Sequence, residues 1–387
     1  MILLDAPYVS DLLKDTIKKN EYKVVETDSA VKIASELGSL FLNTNESVKD
    51  YLSSPIIYSN TENSLSWINK NLANTELPKQ VLYFKNKAKF REILKDLYPN
   101  FHFRKFELNE LISLDPKEIN YPSIIKPAVG FFSMGIYIVE NQQEFLEAIE
   151  SLKLELENIK GLYPTEVMDS QEFLIEDIIN GDEYAVDTYF DKNGKPVILN
   201  IFEHVFTGGK DVADRLYFSS AKVFEKTYDK FMDELVKIGR KTKITNFPMH
   251  IEFRVTPEGD VIPIESNPLR FAGWCMTDMA NYAWGINPYE YLFEQKTPNW
   301  TEILKGKEQK QYNVIIADIP REIELSSIKN IDYDKFTGDF TNLLKIHKTD
   351  YHTYPVFAFA FSETDINDNT EIDKFLYSDL REYITIK

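Results

Sequence analysis

The sequence predicts a mixed α/β and α+β protein, and three observations predict it. At 387 residues the chain is too long for one compact core and suits two to four units. Over the first 85 residues short apolar runs alternate with helical patterns, the rhythm of a small unit with a largely parallel sheet. From residue 173 the texture becomes more strongly β, with turn-forming pairs between apolar runs.

In the first unit the strand-like runs are Ile2-Leu3-Leu4, Val24-Val25, Leu40-Phe41-Leu42, Ile56-Ile57-Tyr58 and Val81-Leu82-Tyr83-Phe84. It lacks a GxGxxG fingerprint, so a dinucleotide site is not expected there. Next, Phe90, Ile93, Leu94 and Leu97 recur at helical spacing and predict a helix over about 87–97. Residues 121–139 read as strand, loop, strand, and an amphipathic helix carrying Phe145, Ile149 and Leu152 follows. Phe173 to Glu176 leads through Asn180-Gly181 into a run over 184–190, and Asn193-Gly194 turns the chain into 196–202. A helix near 224–240 precedes a second hairpin, 249–256 with 261–266, and the last 80 residues alternate strands and helices without a readable motif.

Composition narrows the function classes. A net charge of -18 argues against a nucleic-acid or anionic-membrane partner, because phosphate binding needs a basic footprint. Cys275 is the only cysteine, which excludes an intramolecular disulfide and a cysteine-based metal site. No run approaches the roughly 18 apolar residues of a membrane span. Met1 to Asp5 reads as a short buried strand without the basic start of a signal peptide, so a cytoplasmic setting is the expectation.

The most informative segment is the second hairpin. Pro257, Gly259 and Asp260 mark a tight turn. Centring it between Glu258 and Gly259 sets Glu252 opposite Glu265 and His250 opposite Asn267, all on one side of the sheet. Like charges directly opposite, about 4.5–5.5 Å apart at Cβ, destabilise a strand pair. A divalent cation gives the arrangement a reason, since Mg²⁺ takes carboxylate and amide oxygens. The competing reading is an exposed hairpin whose charges are simply solvated.

Lys126 ends a strand just before the loop 128–135, whose two glycines let backbone N–H groups converge on a phosphate. Alone this is a solvated lysine before an ordinary hairpin. Lys87, opening the helix 87–97, is placed to reach the same anion, and Glu176, Asp177 and Glu183 flank the Asn180-Gly181 turn. These acidic groups are candidates for an adenine amine or ribose hydroxyls, against the simpler reading of a charged turn.

The order Asn86-Lys87-Ala88-Lys89-Phe90-Arg91, Ile125-Lys126-Pro127 with its Gly/Ser loop, Leu174 to Tyr184, His250-Ile251-Glu252 and Ile264-Glu265-Ser266-Asn267-Pro268 resembles the ATP-grasp superfamily, in its carboxylate–amine ligase branch. The match runs over roughly residues 80–295. It implies a Rossmann-like α/β domain over 1–85, a small lid subdomain over 86–175, a large subdomain carrying the metal site over 176–300, and an α/β extension over 301–387. ATP and Mg²⁺ (or Mn²⁺) are the implied cofactors. Lys87 and Lys126 would hold phosphates, and Ser133 with neighbouring amides would cover them. Glu176, Asp177 and the backbone around Ile178 and Ile179 would read adenine, and Glu183 the ribose. Glu252, Glu265 and Asn267 would hold metal.

The resemblance implies an ADP-forming ligase that makes an acyl phosphate and joins it to an amine. Its partners would be small carboxylate and amine substrates, with a homodimer left open. Two departures bear on substrate. The Arg after Asn267 is displaced by one, to Arg270, and His250 stands where D-alanine–D-alanine ligases have Arg. Arg270, Arg254 and His250 are the candidate catalytic groups; Lys210 and Arg215 lie on a glycine-rich loop that a solvated role also explains. Trp274-Cys275-Met276 reads as core or pocket wall. The alternatives are a carboxylase or thioester-forming ligase on the same fold, and a nucleotide-binding regulatory protein without turnover.

Overall fold

Residues 1–38, 40–129, 135–159, 172–208 and 214–387 are described by the structure, a computed structural model. The first unit is a four-stranded parallel sheet in the order β3-β2-β1-β4, built from β1 (Ile2–Leu3), β2 (Val24–Val25), β3 (Phe41–Leu42) and β4 (Tyr58–Ser59). Its connecting helices start where the sequence supplies caps. Ser10 accepts the Leu13 amide at the head of the helix Asp11–Asn20, which buries Leu13 and Ile17 one turn apart.

Val81-Leu82-Tyr83-Phe84, expected as a strand, lies inside the helix Leu77–Lys85. Pro78 sits in its first turn, where a missing N–H costs nothing, and Leu77, Val81 and Phe84 are buried at helical spacing while Leu82 is 46% exposed. The next helix, Lys87–Leu94, is capped by Asn86, which accepts the Lys89 amide.

A second, antiparallel sheet in the order β5-β8-β6-β7 comprises β5 (Phe103–Glu107), β6 (Ser123–Pro127), β7 (Tyr137–Val139) and β8 (Glu172–Asp177). Phe145, Ile149 and Leu152 of the helix Gln142–Ile159 pack on it with Ile125 and Phe173. The largest sheet has eight strands in the order β13-β12-β9-β10-β11-β14-β17-β16. These are β9 (Asp182–Phe190), β10 (Pro196–Val205), β11 (Leu216–Ser220), β12 (Phe247–Val255), β13 (Val261–Pro268), β14 (Lys310–Asp318), β16 (Leu343–Lys348) and β17 (Val356–Asp365). The remaining pair, β15 (Ile328–Ile331) and β18 (Ile384–Ile386), closes a satellite core around Phe336, Phe375 and Tyr383. Asn193-Gly194 makes a true β9–β10 hairpin. Asn180-Gly181 does not; it carries the chain from β8 in one sheet to β9 in another.

Arg215, weighed as a cation closing over substrate, instead bonds Asp318 through Nε (3.0 Å) and Nη2 (3.0 Å) and the carbonyls of Leu376 and Ser378 through Nη1. It ties the start of β11 to the C-terminal segment. Among the described residues no helix is long and apolar enough to cross a membrane.

Asp278 joins the first unit to the rest of the chain. It is fully buried and accepts from Ser10 Oγ (3.2 Å) and Tyr289 OH (3.1 Å). Burial pushes its carboxyl up to about 8, against the pull of the Ser10 and Tyr289 bonds. An unfolded aspartate titrates near 3.8, so the native state holds an extra proton in between. The resulting stabilisation is complete below about pH 4 and lost as pH rises through about 8. Asp278→Asn keeps the acceptor oxygen and removes the titration. It is expected to flatten the fall of Tm between about pH 5 and pH 9, as read by thermal melts across that range.

Candidate functional site

Strands β12 and β13 pair with Glu252 opposite Glu265 and His250 opposite Asn267. The register breaks next to this set: Phe253 pairs with Pro263, leaving Ile264 as an extra residue on β13. The side chains of Glu252 and Glu265 are 27% and 26% exposed, enough for a ligand to reach them.

Lys87 lies against this carboxylate pair. Its Nζ is 2.8 Å from Glu265 Oε2, and its backbone N–H donates to the Ala128 carbonyl at 2.7 Å, which joins the helix head to the end of β6. Burial alone would lower the lysine's pKa, but Glu265 outweighs it and the net shift is upward. Burial would raise Glu265, yet Lys87 holds it down to about 2. Glu252 is pushed well above the usual carboxylate range, first by burial and then by the charges of Glu265, Glu183 and Asp214.

Lys126 is buried at the end of β6 and ion-paired to Glu176 of β8. Burial drives its pKa down, and the nearby cations Arg91 and Lys87 add to that against the pull of Glu176. Glu176 also receives Arg91 Nε at 2.9 Å and Nη2 at 3.1 Å, and despite burial Arg91 and Lys126 hold it down to about 2. Asp177 accepts from the backbone N–H and from Nδ1 of His102, both at 2.9 Å. Both carboxylates expected to read a base therefore have partners within the protein.

Glu183 lies at the start of β9, opposite Arg254 on one side and His204 on the other. Arg254 donates to its Oε2 through Nε (3.1 Å) and Nη2 (2.8 Å), and through Nη1 to the Ile179 carbonyl (2.9 Å). Arg254, a candidate for the reacting oxygens, is thus spent on Glu183 and Ile179. His204 Nδ1 lies 2.9 Å from Glu183 Oε1, with its ring stacked on Tyr217 at 4.1 Å and near Phe206 at 3.9 Å.

His250 is buried and its Nδ1 donates to Asp187 Oδ1 at 2.8 Å, while Nε2 lies 3.8 Å from Glu252 Oε1. Asp187, fully buried on β9, also accepts the Ala272 amide at 2.7 Å. Arg270 follows β13; its Nη1 bonds the Phe271 carbonyl at 2.9 Å, and its Nε stands 3.8 Å from Glu62, which is ion-paired to Lys85. Ser133, the neighbouring Phe131-Phe132 and Lys210 lie outside the described residues.

One face of the β12–β13 hairpin, the end of β6 and the head of the helix Lys87–Leu94 thus converge. His204, Asp187, Glu62 and Lys85 join the set without having been singled out in the sequence. For His204 a signal existed, because a turn centred on Asn193-Gly194 sets it opposite Glu183. Asp187 meets His250 across strands far apart in the chain, which no local pattern reveals.

Among the described residues no cluster of three or more His, Cys, Asp and Glu side chains is preformed for a metal, and the case for a divalent cation rests on donor chemistry. Two carboxylates and a carboxamide oxygen are hard donors, and Glu252 stands among like charges that an added cation would offset.

Residues 119–278 match the family model described as the ATP-grasp domain. None of the curated protein sequences matches the chain. Among solved structures it is similar to an L-amino acid ligase from Bacillus licheniformis, at 16% identity and TM-score 0.68, covering 100% of this chain and 97% of that one. It is also similar to the biotin carboxylase domain of Hydrogenobacter thermophilus 2-oxoglutarate carboxylase, solved with MgADP and bicarbonate (12% identity, TM-score 0.63, coverage 100% and 90%). A third is N5-carboxyaminoimidazole ribonucleotide synthetase from Thermotoga maritima (15% identity, TM-score 0.63, coverage 100% and 98%). Residues 119–278 thus match the ATP-grasp domain, and the chain as a whole shares the fold of these three enzymes.

Proposed function

We propose that the protein is an ATP-dependent ligase that activates a small carboxylate as an acyl phosphate and joins it to an amine. The observation that carries this reading is the opposition of Glu252 and Glu265 on one sheet face, with Lys87 on Glu265. A hairpin carrying that much opposed charge beside two buried lysines is suited to a metal-bound polyphosphate.

In this reading Lys87 and Lys126 hold the phosphates of ATP, and Ser133 with its loop covers them. The backbone of Ile178 and Ile179 reads the base. Glu176 serves by presenting Lys126, and Asp177 by anchoring the strand through His102. Glu183 receives the ribose hydroxyls, held in place by Arg254 and His204. Glu252, Glu265 and Asn267 would hold Mg²⁺, which when bound supplies charge neutralisation across the phosphates. His250, fixed by Asp187, orients Glu252.

The substrate carboxylate oxygen attacks the γ-phosphorus in line, the bond to the β-phosphate oxygen breaks, and ADP leaves. The amine nitrogen then attacks the acyl carbon, the carbon–oxygen bond to phosphate breaks, and the amine proton passes to solvent. Arg270 faces the developing charge on the transferring group or the carboxylate. The chain's contribution is positioning and fixed positive charge, as in other phosphoryl transfers. The alignment with an L-amino acid ligase over nearly the whole of both chains supports the amine as acceptor.

ADP release over a panel of carboxylic acids and amino acids, with mass analysis of products, tests this. The expected result is ADP formation that requires both acid and amine, with a product of their summed mass less water. Dependence on bicarbonate or a thiol in place of the amine would replace the reading by carboxylation or thioester formation. ATP binding without ADP release on any pair would make the protein a nucleotide sensor.

A further inference from the structure

In a regular strand, successive carbonyls point to opposite sides, so one side chain cannot bond two in a row. At Pro263 and Ile264 one does. Arg91 Nη1 donates to the Pro263 carbonyl and Nη2 reaches that of Ile264 at 3.4 Å. The two carbonyls converge because Ile264 is the extra residue of the β13 bulge. Pro263 has no N–H to give the ladder, and β13 is the edge strand of its sheet, where such an irregularity is tolerated.

The bulge decides the chemistry of this face. On the turn side Val255 pairs with Val261, Arg254 with Ile262 and Phe253 with Pro263. Continued without the extra residue, that register would set Ile264 opposite Glu252 and turn Glu265 to the other face. Glu265 faces Glu252 only because the bulge is there.

We propose that Arg91 is the positioning residue that pins this bulge and thereby aims Glu265 at Glu252 and Lys87. The inference rests on the reading of Glu252, Glu265 and Asn267 as the metal-holding set. Arg91 is suited to the task. It is 4% exposed, its Nε and Nη2 grip Glu176, and its guanidinium lies 4.3 Å over the Phe101 ring, so the fork is fixed on three sides. The same fork links the strand that presents Lys126 to the strand that presents Glu265. The geometry of the phosphate lysine and that of the metal carboxylate are coupled through one side chain.

The full chain carrying Arg91→Lys or Arg91→Met is compared with wild type in two measurements. One titrates Mg²⁺ against a fixed concentration of a fluorescent ADP analogue; the other follows amide hydrogen exchange over residues 261–268 without metal. Lysine keeps a cation beside Glu176 but cannot fork to two carbonyls. Arg91→Lys is therefore expected to raise the half-saturating Mg²⁺ concentration about tenfold or more, in the range found when a metal ligand's support is removed. Exchange around Ile264 should accelerate. Arg91→Met should show both effects and also weaken metal-free binding. Should Arg91→Met fail to fold, Arg91→Lys still decides. Wild-type Mg²⁺ dependence and wild-type exchange in Arg91→Lys would overturn the proposal. Wild-type protein that binds the analogue with no Mg²⁺ dependence would instead refute the metal reading, and the exchange comparison would still report on the bulge.

Discussion

Glu265→Gln is expected to reduce ADP release about a thousandfold or more, because it removes from the proposed metal-holding set a fixed charge that no other group replaces. The substitution is nearly isosteric, so β13 should keep its register. It does leave the buried Lys87 without the carboxylate that keeps its pKa up. Glu265 is a quarter exposed, so solvent and the nearby Glu252 soften that loss, and Tm should fall by only a few degrees. The matching change, Glu252→Gln, should cost as much activity but leave Tm unchanged or raised. Glu252 carries the repulsion of Glu265, Glu183 and Asp214, which neutralisation relieves. Thermal melts and ADP release on both variants check the pair of outcomes. Retention of more than about a tenth of wild-type ADP release in Glu265→Gln would remove the metal assignment.

Much of this site was legible because β-hairpins convert sequence into geometry. A turn around Glu258-Gly259 with apolar alternation on both sides sufficed to place Glu252 opposite Glu265 and His250 opposite Asn267. Yet the pairing came out right through two offsetting errors. The turn is centred on Glu258 itself, half a residue from where its composition suggested, and the Ile264 bulge makes up the difference. Pro263 was the available hint, since a proline within a strand marks an edge or a bulge.

What stayed illegible is tertiary. The sequence offered Glu176 and Asp177 as groups facing a ligand, because they flank a turn, and Arg254 as a cation near the reacting oxygens. In the fold Arg91, His102 and Glu183 take them up. Those partners come from other elements, and long-range pairing leaves no local periodicity to read. The parallel sheet of the first unit was readable from its rhythm of apolar runs. The run at Val81–Phe84 was not, because four apolar residues in a row suit a strand and a helix equally. Only Pro78 before it and Asn86 after it favoured the helix.

Gly181→Ala is expected to be the most damaging small substitution near Glu183, where we place the nucleoside. Gly181 has φ +138°, a conformation L side chains rarely adopt, and it crosses directly over the end of β12. A Cβ there would stand 2.1 Å from the Val255 carbonyl oxygen and 2.9 Å from Thr256 Cα. Both are backbone atoms in a paired strand and its turn, so the crossing segment itself must lift. Such a shift pulls Ile179 and Glu183 away from Arg254, which now bonds both. The expected cost is about 3 kcal/mol or more, seen as a fall in Tm on the order of 5 °C, with nucleotide affinity lowered about tenfold. Gly285→Ala is the reference for an ordinary left-handed glycine without a collision, since Gly285 has φ +71° and open space around its Cβ position. It should cost only about 1 kcal/mol and leave nucleotide binding unchanged. Equal losses in the two variants would mean that backbone strain alone acts at Gly181, and that the close crossing of β12 adds nothing.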